Sequence, residues 1–382
     1  MNLQTFDLLE TFPSSLLIFI FGFLITYKLS RNFYLSLFTS TIKTIIFSLY
    51  FTVYFDGTFT FIDDWKYFNI SKSMVNNFDF FRLFDQDFYD KLHYLSKSRH
   101  ITYYVHNIIS MKILGIYYFV PVCFNILLLY IAGYYFFKLL IKLEFKKNHA
   151  IFLYLFLIFH FEILSWGSIA NLKDILVLLL TILLFYSFYK FEEKEYFSAL
   201  LLFFAVFIIF SSLRFYIPFL FILSIVIYHI LKYSSNLSFF KKIFFLIFTL
   251  FTLLILSMVF KESFSYELDI LLGGYTNPIF GSIRFLLSPI PFNTEEKYSF
   301  LDFPLLISWI LYIFTFYGFF LMLKLNNKFL KIFLVYFVII VLFYGSYEEL
   351  QGPRHRIQII FIIIIMTYFG LKKTYLNIYK RI

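Results

Sequence analysis

Two adjacent carboxylates, Asp63 and Asp64, stand in the stretch FIDDWKYF, just past a run apolar enough to cross a membrane. Like charges side by side raise one pKa, which suits a general base. One of the pair would take the proton of an attacking hydroxyl, while its neighbour orients it or helps hold a cation. Mg²⁺ or Mn²⁺ would accept such oxygens, although no further oxygen ligands are identifiable in the sequence. A purely structural task fits equally: Asp64 as N-cap of an amphipathic helix with Tyr67, Ile70, Met74 and Phe78 at helical spacing, and Asp63 solvated.

The cations that would complement these acids are scattered along the chain. Lys173 and Asp174 open an apolar run, either as substrate ligands or as a self-neutralising pair whose acid is favoured by the helix dipole. Trp166, shortly before them, reads as an interfacial anchor. Arg214 lies between two apolar runs with almost no loop, so it must snorkel or face an internal cavity. An ionisable residue at that depth is a functional candidate. Arg284 stands in SIRFLLSPIPF, and GPRHR brings Arg354, His355 and Arg356 to the head of the last apolar run. In an extended stretch the two arginines point the same way and would grip one phosphate together. The alternative is a pair of salt bridges to Glu348 and Glu349. His355 is either a proton carrier or a packing residue. Such a basic cluster, in a low dielectric, is what a departing phosphate requires. Tyr266, Tyr275, Phe285 and Phe292 are aromatic faces on which sugar rings would stack. No Walker loop, HExxH, GxSxG or GxGxxG is present.

The elements that must position these groups follow from composition. Of 382 residues 61% are hydrophobic and 15% charged, which describes an all-α polytopic transmembrane bundle, not a water-soluble domain. Apolar runs near 12–27, 33–55, 113–137, 149–161, 175–189, 197–213, 215–231, 243–260, 304–323, 332–346 and 357–371 give about eleven spans, within a range of 10–12. They form one integral-membrane domain, 1–382, with two long connections at 56–112 and 261–303, the first carrying amphipathic helices. Lys43 falls inside the second run. A lysine at the bilayer centre costs about 2.5–3.5 kcal/mol, so residues 33–42 are expected along the interface, with the span beginning near Lys43. Alternate connections from Lys28 onward carry 18 basic residues against four acids, and the opposite set 14 against 19. The positive-inside rule places the first set and the C-terminus in the cytoplasm, and every polar cluster above on the outer side. The net charge of +10 is therefore topological and implies no nucleic acid. The single Cys123 excludes an internal disulfide. The first residues lack the basic segment of a cleaved signal peptide, and the Phe-, Ile-, Lys- and Asn-rich composition points to an AT-rich bacterial genome.

Taken together, FIDDWKYF, LKD at Leu172–Asp174, LRFY at Leu213–Tyr216 and RHRIQIIFIIII near the C-terminus resemble the motifs of GT-C integral-membrane glycosyltransferases. The resemblance implies a plasma-membrane enzyme of cell-surface glycan assembly, its active site facing outward. Its donor would be a polyprenyl-phosphate-linked sugar, its acceptor a glycan or a lipid, with Asp63 or Asp64 as base. Arg354 and Arg356 would contact the lipid phosphate, together with Arg214 and Arg284. Two departures from the family pattern stand out: an extra span precedes the acidic loop, and no soluble C-terminal domain follows the last helix. The second disfavours a protein acceptor. Two other functions use similar parts. An O-antigen-type polymerase or ligase relies on outward-facing arginines around a lipid pyrophosphate. A flippase of lipid-linked oligosaccharide would place polar residues deep in its helices.

Overall fold

The computed structural model describes residues 5–57, 63–97, 100–233, 276–294, 299, 301–347 and 352–379. Those residues are helical with no strand, and they divide between two compact units, Met1–Arg214 with Glu295–Pro304 and Phe215–Thr294 with Leu305–Ile382. In the first unit α1 (Leu8–Ser30) and α2 (Phe33–Leu49, continued by a π-helical turn, Tyr50–Tyr54) form a hairpin. Next come α3 (Asp63–Val75), a 3₁₀ turn (Phe80–Phe84), α4 (Gln86–Ser96) and α5 (Ile101–Leu114), so the first long connection does carry helices. The unit continues with α6 (Phe119–Lys142), α7 (Lys147–Ile158), α8 (Phe161–Gly167), α9 (Asp174–Glu192) and α10 (Tyr196–Ser211). The second unit contains α11 (Tyr216–Tyr233), α12 (Pro278–Leu287), α13 (Asp302–Lys324), α14 (Lys328–Gly345), α15 (Pro353–Arg356) and α16 (Ile360–Tyr379).

Among the described residues eight stretches are long and apolar enough to cross a membrane: α1, α2 with its π turn, α6, α7 with α8, α9, α13, α14, and α15 with α16. The helices α10 and α11 are shorter, and the expected span 243–260 lies outside the described residues, so the count of eleven is not reached. Hydropathy also misplaced one boundary. The run from residue 113 is broken at Gly115, whose φ of 99° suits glycine and ends α5, and the span starts only at Phe119.

Lipid offers apolar side chains no refuge they lack elsewhere, so helices in a bilayer pair through small residues and interhelical hydrogen bonds. In the first unit Ser15 and Ser48 join α1 to α2 at 2.8 Å, and Thr26 meets the Tyr154 phenol at 2.8 Å. In the second, α13 crosses α16 at Gly318 and Gly370. A Cβ on either glycine would collide with a carbonyl of the facing helix, and Thr315 and Thr367 share a hydrogen bond of 2.7 Å beside the crossing.

Lys43 corrects the expected start of the second span. The helix is uninterrupted from Phe33 to Tyr54, and Lys43 is wholly buried near its middle. Its ammonium donates to Ser168 Oγ at 2.7 Å and to the Ile158 carbonyl at 3.3 Å. The protein solvates the charge, so the span has no need to shift. Trp166 is likewise buried at the end of α8 and is no interfacial anchor.

Candidate active site

The first turn of α3 holds both acids. The helix begins at Asp63, so Asp64 lies inside its first turn and is not the N-cap. Their surroundings differ. Asp63 is partly exposed, whereas Asp64 is wholly buried. The Tyr118 phenol donates to Asp64 Oδ2 at 2.6 Å, from the break between α5 and α6 that Gly115 creates. Burial, and then the Asp64 carboxylate, push the Tyr118 phenol well above its ordinary pKa.

Facing α3 is an irregular stretch, 168–173, between α8 and α9. Every residue in it is buried. Backbone outside a helix is tolerated at membrane depth only where protein or a water-filled cavity satisfies it. Here the Leu172 carbonyl and the Asn171 N–H, which donates to the Tyr118 phenol at 3.4 Å, find side-chain partners, and side chains from three helices hold the stretch. Lys43 of α2 holds Ser168, and Asn125 of α6 donates to the Leu172 carbonyl at 3.1 Å. Asn171 donates through Nδ2 to Asn107 Oδ1 of α5 at 2.6 Å and reaches the Asp64 carbonyl at 3.4 Å. Tyr103 donates to Asn171 Oδ1 at 2.7 Å and accepts from Asn125 at 2.9 Å.

The cationic side of the site continues from this stretch. Lys173, 5% exposed, donates to the Tyr67 phenol of α3 at 3.2 Å. Asp174, in the first turn of α9, forms a buried ion pair with Arg214, Nη2 to Oδ1 at 2.5 Å. Arg214 therefore faces inward and does not snorkel. The buried charges among the described residues of this unit are Lys43, Lys173 and Arg214 against Asp64, Glu162 and Asp174. Of these, Arg214 and Asp174 neutralise one another directly, as a low-dielectric interior demands. Of the five expected residues in this unit, Asp64 enters the Tyr118–Asn171 network, Lys173 reaches α3 through Tyr67, Asp174 pairs with Arg214, and Asp63 is the chain neighbour of Asp64.

The remaining four lie in the second unit. Residues 353–356 are helical, so Arg354 and Arg356 are not aligned by an extended backbone. Arg356 is wholly buried, and its Nη1 donates to the carbonyls of Phe285, Leu286 and Ser288, each at 2.7 Å. It caps the C-terminus of α12, where orphaned carbonyls need donors. Arg354 and His355 are partly exposed, His355 with its ring 5.4 Å from that of Tyr344. Arg284 is exposed on α12. Phe285 is buried and stacks on Tyr344, so it offers no face to a sugar, whereas Phe292 is exposed. Glu348, Glu349, Tyr266 and Tyr275 lie outside the described residues. Among the described residues no three His, Cys, Asp or Glu gather as a metal cage would require.

Sequence reading missed Tyr118, Asn107, Asn125 and Tyr103. The two asparagines were the available signal, since amides inside apolar helices need partners. Comparison of the chain with family models, with curated proteins and with solved structures found no match. The GT-C likeness therefore rests on the short motifs themselves.

Proposed function

We propose that the chain is a membrane glycosyltransferase of surface-glycan assembly, taking a sugar from a polyprenyl-phosphate donor on the extracytoplasmic face. The observation that carries this reading is the division of work between two neighbouring acids. Asp64 is fixed by Tyr118, while Asp63 beside it is partly exposed. A buried, hydrogen-bonded carboxylate orients; an accessible one exchanges protons. Asp63 takes the proton of an acceptor hydroxyl, whose oxygen attacks the anomeric carbon. The bond from that carbon to the phosphate oxygen breaks, and the lipid phosphate leaves with the electron pair. Lys173, hydrogen-bonded to Tyr67 of α3, is the cation assigned to the donor phosphate. Arg214 balances Asp174 and so positions the head of α9. Arg356, wholly buried and capping α12, is withdrawn from the phosphate role expected of the arginine motif.

Single Asp63→Asn and Asp64→Asn variants in cells lacking the native copy test the reading. Asp63→Asn is expected to abolish the surface glycan with the protein still inserted. Full glycan in both single variants and the double variant would remove the acids from the mechanism. Product length separates the polymerase reading, which requires a ladder of repeats in place of one added sugar.

A further inference from the structure

The proposed reaction uses only the first turn of α3. At the other end of that helix lies a cleft of about 110 Å³, whose floor includes Met74 and Phe88 and whose rim includes Arg82, Lys91, Asp85 and Asp87. Both floor residues are buried and apolar. Asp85 accepts from the Asp87 backbone N–H at 3.1 Å as N-cap of α4. Among the described residues, none of the four charged side chains enters an ion pair, although two of each sign line one small space. A rim with equal numbers of cations and carboxylates favours neither an anion nor a cation. It suits a neutral polyol, whose hydroxyls donate to carboxylates and accept from guanidinium and ammonium groups while a C–H face rests on the apolar floor. Phe81 and Phe84, in the same 3₁₀ turn as Arg82, are 82% and 90% exposed, leaving two aromatic faces beside the cleft.

We propose that this cleft binds a sugar unit of the acceptor, which makes the acceptor an oligosaccharide and not a single sugar or a bare lipid. The inference rests on the transferase reading for its purpose. Along the axis of α3, Asp63 and Met74 are on the order of 16 Å apart. An acceptor held at one end of the helix while its hydroxyl reaches Asp63 at the other must therefore be several sugars long.

Saturation-transfer NMR on the purified chain in lipid nanodiscs tests this, with neutral trisaccharides of glucose, mannose and N-acetylglucosamine as probes. At least one trisaccharide is expected to receive saturation. Arg82→Ala and Asp87→Asn should each weaken its binding about tenfold, as loss of a hydrogen bond to a charged group implies. Both cleft positions are exposed, and unchanged thermal unfolding of the variants confirms that they fold. No saturation of any probe, or equal saturation in the cleft variants, overturns the proposal. Saturation together with full glycan synthesis by Asp63→Asn would sink the transferase reading and leave the cleft as a saccharide site.

Discussion

The neighbouring acids Asp63 and Asp64 do different work because one is covered and the other is not. Tyr118→Phe removes a hydrogen bond to a buried carboxylate, at a cost of about 1.5–3 kcal/mol, and should lower the unfolding temperature. The phenol also sets a pH dependence. Its pKa is raised in the fold, whereas an unfolded tyrosine loses its proton near pH 10. Above that pH the unfolded state holds fewer protons than the native state. The stability from this group is therefore full below about pH 10 and falls as pH rises beyond it. Tyr118→Phe should flatten that alkaline fall in a chemical-unfolding series. By contrast, Asp63→Asn should leave stability intact and reduce transfer by about 10²–10⁴, the usual contribution of a general base. The spacing of two aspartates beside an apolar run made the pair legible. Which of them works was not, because the deciding partner, Tyr118, is one of 32 tyrosines and sits inside an apolar run.

At the scale of elements, two helices carry claims of their own. Arg356 donates from one nitrogen to three carbonyls at the end of α12. Methionine keeps the apolar stem but supplies no donor, so Arg356→Met should destabilise the protein by about 2–3 kcal/mol. A second claim concerns α2. If Lys43 lies mid-span, cysteines replacing Asn32 and Asp56 will react with impermeant maleimides from opposite sides of the membrane; labelling of both from one side would contradict a single crossing. The sequence pattern made RHR visible but misjudged its backbone, since spacing alone does not distinguish an extended stretch from a short helix started by Pro353. The fault at Lys43 has the same root: an insertion scale prices a lysine against lipid and cannot see Ser168 or the Ile158 carbonyl.

For the whole molecule, composition was enough to place the chain among helical membrane proteins, and eight of its expected spans coincide with long apolar stretches. The break at 115–118 was not legible, because it stays apolar in composition while the backbone leaves the helix, and hydropathy averages report environment, not hydrogen bonding. A connection across 168–173 was expected between the spans 149–161 and 175–189, but not that it would be wholly buried. Those breaks are where the site is built, since they deliver Tyr118, Asn171 and Lys173 to α3. The proposed reading has this end of the helices face outward, as the positive-inside rule leads one to expect. The most direct test uses the purified chain in nanodiscs with a polyprenyl-phosphate-linked labelled sugar and acceptor glycan from the host envelope, and measures freed polyprenyl phosphate. The wild type should release it while the label moves to the glycan, and Asp63→Asn should release about a hundredfold less or lower still. Release at the wild-type rate by Asp63→Asn, or none by the wild type, would contradict the account.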